Sequence, residues 1–348
     1  MSARRLLVLV LLALAVSGAA VWLSTQRTLR HDPEFGTAVL PGLAAALDSV
    51  TSVRVVGAGG QALVTLSRGD GRWQVVEAGY PADPARVRRL LVALGELRVL
   101  EPKTEDPARY AALAVEDVGD SKAQSLRLDL GGLREPVALL VGHAATGQGV
   151  YVRVPGHRQA LEARPALDVA RTPRDWLART IVDLAPARVE SVVVARSDAP
   201  PWRALRPARD AAHFEVPGLP KGRELASAGA ADAAGNVLGN LELDEVRHAA
   251  PEAGRGRPER AVVRCFDGLV ITLEGRAEGE ARWVTLAADF DAALAARFPA
   301  PAGQPAPAAD AVRAEAERLT ATARGWEYKV PAYRFDAIFR KRDELLRR

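Results

Sequence analysis

The chain has 348 residues, of which 48% are apolar and 26% charged, a globular profile with room for two ordinary domains. Its formal charge is +4, but the arginines are scattered among Asp and Glu and aromatics make up 5%; a nucleic-acid surface would concentrate basic residues on one face among aromatics, so no nucleic-acid partner is expected. The single cysteine, Cys265, excludes an intramolecular disulfide and a thiolate zinc cluster.

In chain order, two arginines precede eighteen uncharged residues, Leu6 to Leu23. As a helix this run is about 27 Å long, enough to cross a hydrocarbon core, and Trp22 suits the interface. A signal peptide cut after Ala19 or Ala20 is the competing reading. The apolar run continues through Val21, Trp22 and Leu23, which favours an uncleaved anchor. Residues 1–30 are therefore expected to be a short cytoplasmic tail and a single-pass transmembrane anchor. Everything beyond it would lie outside the cytoplasm.

A first α+β unit is expected over 38–185. "VTSVRVV", "ALVTLS" and "RWQVV" alternate apolar and polar residues between Gly-rich turns, the pattern of a three-stranded antiparallel meander. A helix starts at Asp83 as N-cap with Pro84 at the first turn. Val87, Leu90, Leu91, Leu94 and Leu97 form its apolar stripe, and Pro102 is expected to end it. Strands follow at "QSLRLDL", "PVALLV" and "GVYVRV", then a helix at "TPRDWLARTIVDL" with Thr172 and Asp175 as a capping box.

The second unit, expected over 186–348, repeats this pattern. Val50, Ser52, Val53 and Val55 recur 139 residues later as Val189, Ser191, Val192 and Val194. Ala82, Asp83, Ala85, Glu96, Arg98 and Pro102 recur 149 residues later, as Ala231, Asp232, Ala234, Glu245, Arg247 and Pro251. Self-similarity at a long offset points to a duplicated unit. The second helix is poorer, with Gly235, Asn236, Gly239 and Asn240. Strands are expected at "RAVVRCF", "LVITLEG", "RWVTLAA" and "WEYKV". A Pro/Ala linker covers 299–310 and precedes a helix carrying Val312, Ala316, Leu319 and Ala323. An amphipathic helix over "YRFDAIFRKRDELLRR" closes the chain.

"DGRWQV…YPADPARVRRLLVALGELRVLEPKT", "ARYAALAVED", "ALLVGHAATGQGVYVRVPG" and "DWLARTIVDL" resemble the domain-of-unknown-function family 4340 of bacterial membrane-anchored envelope proteins, over roughly residues 40 to 348. The family pattern usually shows "LGV" where this chain has Ala112-Leu113-Ala114-Val115. The resemblance implies an N-terminal membrane segment and an extracytoplasmic α/β region, hence the bacterial inner membrane with the bulk of the chain periplasmic. It also implies work beside ABC-type export or gliding-motility transporters, and it brings no catalytic residues to carry over.

The residues themselves spell no HExxH, G-x-S-x-G, P-loop or EF-hand. His143 and His157 bracket one hairpin but lack further ligands. Cys265, in "AVVRCFDGLVITL", reads as a buried small hydrophobe, and Arg68-Gly69-Asp70 as part of a turn. Glu101, Glu105 and Asp106, like Glu242, Asp244 and Glu245, read as solvated acidic faces. No catalytic, cofactor-binding or metal-binding residue is expected, and no enzyme activity. Trp73, Trp176, Trp283 and Trp326 read as core anchors. Trp202, in a Pro-rich loop, reads as exposed, and with Arg255 and Arg257 it is the candidate partner contact, near the seam between the units. The expected function is a membrane-anchored extracytoplasmic protein acting through protein contacts, accessory to an ABC-type transporter or envelope complex. The alternative is a periplasmic small-ligand or glycan-binding module.

Overall fold

The computed structural model describes residues 35–250, 257–299 and 308–347. The expected anchor at Leu6 to Leu23, Arg255 and most of the Pro/Ala linker lie outside the described residues. Among the described residues no helix is long and apolar enough to cross a membrane. The architecture is mixed α/β, with antiparallel sheets and few helices, in two compact units that divide between Trp176 and Leu177.

The first unit holds β1 (Ser52–Val56), β2 (Ala62–Gly69), β3 (Arg72–Val75), β4 (Tyr80–Pro81), β5 (Arg98–Thr104), β6 (Leu126–Gly131), β7 (Val137–Ala145), β8 (Gly149–Arg153) and β9 (Ala160–Arg164). They form one nine-stranded sheet in the order β4-β3-β2-β1-β6-β7-β8-β9-β5. The alternation in "VTSVRVV" sets its register. Val53 stands between Leu66 and Leu130, and Val55 between Val64 and Leu128. All six are buried, while Arg54 between them is exposed. The Arg68-Gly69-Asp70 tripeptide runs into the β2–β3 hairpin turn, whose central residues Asp70 and Gly71 take φ of 50° and 76°, the left-handed pair of a type I′ turn.

Helices α1 (Leu43–Ala46), α2 (Pro84–Gly95) and α3 (Tyr110–Leu113) belong to this unit. The α2 N-terminus is capped as expected: the Asp83 carboxylate accepts from the Ala85 and Arg86 amides at 2.8 and 3.2 Å. Val87, Leu90, Leu91, Leu94 and the following Leu97 are all buried. The helix ends at Gly95 and not near Pro102, because the chain is already extended by Arg98 to pair with β9. Pro102 lies within β5, at the sheet edge, where a missing amide hydrogen is tolerated.

The helix expected at "TPRDWLARTIVDL" is instead a 3₁₀ turn at Pro173–Trp176 followed by β10 (Thr180–Val182). Thr172 Oγ1 donates to Asp175 Oδ2 at 2.7 Å and the Asp175 amide to Thr172 O at 3.2 Å, which closes a tight turn. The β-branched Thr180, Ile181 and Val182 then favour an extended chain. Trp176 is fully buried, with its indole donating to Ala170 O and its carbonyl accepting from the Asp83 amide. Trp283 is buried as well, whereas Trp73 and Trp326 are only half-buried, Trp326 being stacked on His248 at 4.2 Å.

In the second unit β10 pairs with β13 (Leu241–Glu242). The main sheet contains β11 (Val189–Ala195), β12 (Trp202–Leu205), β14 (Glu245–His248), β15 (Glu259–Cys265), β16 (Leu269–Glu278), β17 (Ala281–Phe290) and β18 (Trp326–Lys329), in the order β12-β11-β15-β16-β17-β18-β14. Helices α4 (Asp232–Gly235), α5 (Ala292–Arg297), α6 (Ala309–Ala323) and α7 (Ala332–Ile338) complete it. Seven strands of the first sheet, β2-β1-β6-β7-β8-β9-β5, follow the same connectivity. In both, the first strand is interior, and the third of the seven crosses to the far edge. Val192 and Val194 occupy the places of Val53 and Val55, buried between β12 and β15. The closing helix is shorter than expected, giving way after Ile338 to a 3₁₀ turn at Arg342–Leu345.

The core assignment is tested by urea denaturation. Trp176→Ala should cost about 3–5 kcal/mol, the range for emptying a buried aromatic site. Trp73→Ala, being half-exposed, should cost clearly less, so the two midpoints should fall in that order.

Candidate functional site

The segment from β5 to β6 must return from the sheet edge to its middle, and it does so across the ends of β9, β8 and β7. Gly142 admits it, since a Cβ there would stand 2.1 Å from Leu113 O. At the end of α3 the chain turns through Ala114, a non-glycine residue at φ 54°. Tyr110 and Val115 pack on Ala160.

Arg153, the last residue of β8, holds this crossing in place. It is 3% exposed. Its Nε donates to Val115 O at 2.9 Å, Nη1 to His157 O at 3.1 Å and Nη2 to Asp117 Oδ1 at 2.8 Å. The guanidinium lies 4.4 Å from the centroid of the Tyr110 ring, and the Tyr110 hydroxyl donates to Arg158 O. Around these residues opens a cleft of about 700 Å³ that also takes in Glu116, Asp120 and Lys122. Its floor is rigid because a buried guanidinium with three hydrogen bonds and a stacked ring has one favourable placement. Its mouth is open to solvent: Asp117, Lys122, His157 and Arg158 are exposed. One buried oxygen, Glu116 Oε2, has no hydrogen-bond partner.

Nothing in the sequence singled out Arg153, because "GVYVRV" reads as ordinary strand alternation. Its partners lie 36 and 38 residues away in the chain, a separation that no local pattern reports. Only His157 among the expected candidates lines the cleft, and His143 is exposed elsewhere on β7. Among the described residues no group of His, Cys, Asp and Glu is arranged to hold a metal ion. Cys265 is buried on β15, as expected. Burial, with the nearby Asp267 carboxylate, pushes its thiol up to about 12, so it carries no thiolate near neutral pH.

The expectation that Trp202 is exposed is overturned. Trp202 opens β12 opposite Val194, is 6% exposed, and its indole donates to Arg340 O at 2.8 Å. The prolines before it end before the strand begins, and its ring faces the core in register with Ala204. Arg257 is exposed beside Ser197, Glu259 and Glu278. Of the expected acidic faces, Glu101 pairs with Lys103 at 2.8 Å and Glu245 with Lys329 of the neighbouring strand at 2.6 Å.

The geometry can be set beside known proteins. A family model, Domain of unknown function (DUF4340), matches residues 73–248. The chain belongs to that family. No curated protein and no solved structure matches it. The DUF4340 match starts at Trp73 in β3 and ends at His248 in β14, so it takes in α2, the cleft and the first strands of the second sheet.

A second polar group in this DUF4340 chain sits at the α4 N-terminus. Asp232 accepts from the Phe214 amide at 2.9 Å and lies 2.7 Å from His213 Nδ1. Burial opposes its ionisation, but these two contacts outweigh it and hold the carboxyl below its usual range. A lowered folded-state value means stability that is present above the unfolded value of about 3.9 and lost as pH falls through the folded one. Wild type should therefore exceed Asp232→Asn in urea midpoint at pH 7, and the gap should narrow below pH of about 4. A gap that widened on acidification would refute this.

Proposed function

We propose that this chain is a binding protein of the bacterial envelope that works through protein contacts, tethered by Leu6 to Leu23 with its bulk periplasmic, and accessory to an ABC-type transporter or another envelope complex. The observation that carries this reading is the Arg153 cluster. Arg153 spends its hydrogen bonds on the protein itself, on Val115 O, His157 O and Asp117. Such an arrangement holds a surface in shape for recognition. Lys122 and Arg158 at the rim have no ion pair among the described residues, so they are available to an acidic segment of a partner.

The shared strand order supports a further part of the reading, that the two units are one α+β fold used twice. On that reading the segment joining β14 to β15, which contains Arg255 and Arg257, corresponds to the crossing that builds the cleft. Arg257 stays a candidate contact on this ground, while Trp202 does not.

Photo-crosslinkers placed at Lys122, Arg158 and Arg257 in the full-length, membrane-resident protein test the proposal. The expected result is capture of one protein partner from Lys122 and Arg158, with the capture from Lys122 lost on adding Arg158→Glu with an unchanged unfolding midpoint. The cleft volume is also in the range of small-ligand sites. Absence of protein capture together with saturable, cleft-dependent binding of a small molecule would replace the first reading with the alternative of a periplasmic small-ligand or glycan-binding module.

A further inference from the structure

The face of the second sheet opposite its core carries an independent site. Across three neighbouring strands, Val193 on β11 is flanked by Arg203 on β12 and Val262 on β15. Arg264 stands opposite Ser191, on the same face. The register shift between Val189 and Ser191 brings Glu190 to this side as well. Helix α5 closes the rim, and the result is a pocket of about 330 Å³ lined by Glu190, Arg203, Arg264, Asp291, Leu294 and Arg297.

The charges in this pocket are unequally satisfied. Glu190, 2% exposed, accepts from Arg203 Nη2 at 3.0 Å and from the Ser191 hydroxyl. Asp291 caps α5 by accepting from the Leu294 amide at 2.9 Å, and Arg264 Nη1 reaches it only at 3.5 Å. Arg297 has no carboxylate partner among the described residues and rests over the Phe298 ring at 5.2 Å. Both acids are thus supplied with donors by the protein, while three guanidiniums face one concavity, an excess of one positive charge. Guanidinium forks match the oxygens of phosphate in both geometry and charge.

We propose that this pocket binds a phosphate-class oxyanion. Arg297 supplies the unpaired charge, Arg264 turns from Asp291 toward the anion, and Arg203, locked by Glu190, forms the back wall. A volume of about 330 Å³ has room for a phosphate group with a small organic substituent, so the source is either a free phosphate or the headgroup of an anionic lipid.

The test uses the full-length chain in detergent, titrated calorimetrically with inorganic phosphate. Saturable 1:1 binding is expected. Arg297→Gln should weaken it by about tenfold or more, the loss of one charge-assisted hydrogen bond, with an unchanged unfolding midpoint. Arg257→Gln, outside the pocket, should leave it unaltered. Mixed micelles of phosphatidylglycerol or phosphatidylcholine separate the sources. Displacement of phosphate by phosphatidylglycerol alone assigns the lipid headgroup, and no displacement by either assigns free phosphate. Lack of saturable phosphate binding, or binding untouched by Arg297→Gln and by Arg264→Gln, overturns the proposal.

Discussion

Each sheet depends on a first strand that has no freedom of register. β1 and β11 are paired on both sides, and their alternate valines, Val53 and Val55 or Val192 and Val194, are buried between neighbours. A slip of one residue would turn Arg54 into the core of the first unit and Val53 out of it. With that strand held, the fourth to seventh strands add outward from it, and the third of the seven pairs at the far edge beside the last. The connection that brings the chain back is then obliged to run over strand ends. In the first unit that obligation carries Tyr110, Val115 and Asp117 to Arg153, so the cleft is a consequence of strand order.

The arginines do a second kind of structural work. Buried carboxylates are tolerable only with a cation in contact, and each one here has it: Glu162 meets Lys103 at 2.7 Å, Glu190 meets Arg203 at 3.0 Å, and Glu327 meets Arg247 at 2.7 Å. Arg247 also lies 3.8 Å from the Trp283 ring centroid. Arg188 grips Glu315 with both terminal nitrogens, at 2.9 and 2.8 Å, and Asp267 with Nε at 2.9 Å, which ties the turn before β11 to α6. Its hydrogen bonds to Glu315 foremost, opposed by burial and aided by both carboxylates, hold Arg188 above its usual value. Of the cations without an ion pair among the described residues, Lys122 and Arg158 share the cleft and Arg297 lines the second pocket, and that placement is what makes them informative.

What could be read from the residues was whatever is enforced locally. The β1–β2–β3 meander, the Asp83 cap and the α2 stripe all rest on contacts within a few positions, and the structure reproduces them. Non-local pairing was not legible. Pro102 looked like a helix stop because the partner that makes β5 a strand, β9, begins only at Ala160. Trp202 looked exposed because the residues before it have the composition of a loop, while the Arg340 carbonyl that satisfies its indole lies 138 residues further along the chain. The poor second helix has its reason outside its own residues as well: a Cβ on Gly235 would stand 2.6 Å from the Phe214 ring, so that helix trades propensity for a close aromatic contact. Both candidate pockets escaped notice on the same ground, since their walls come from strands and turns far apart in sequence.

The division between what is constrained and what is free to vary follows from this. Residues on the strand cores answer to register and packing, so they can change little without cost. The returning segments answer only to the need to span the strand ends, and segments of that kind are where binding surfaces arise on a fixed framework. In the first unit the return spans 105–125 and is pinned by one buried arginine. In the second unit a concavity forms on the sheet face, under α5. Two sheets of the same strand order thus offer different recognition chemistry, a mixed-charge cleft in one and a guanidinium-lined pocket in the other, because the shared constraint ends where the strands do.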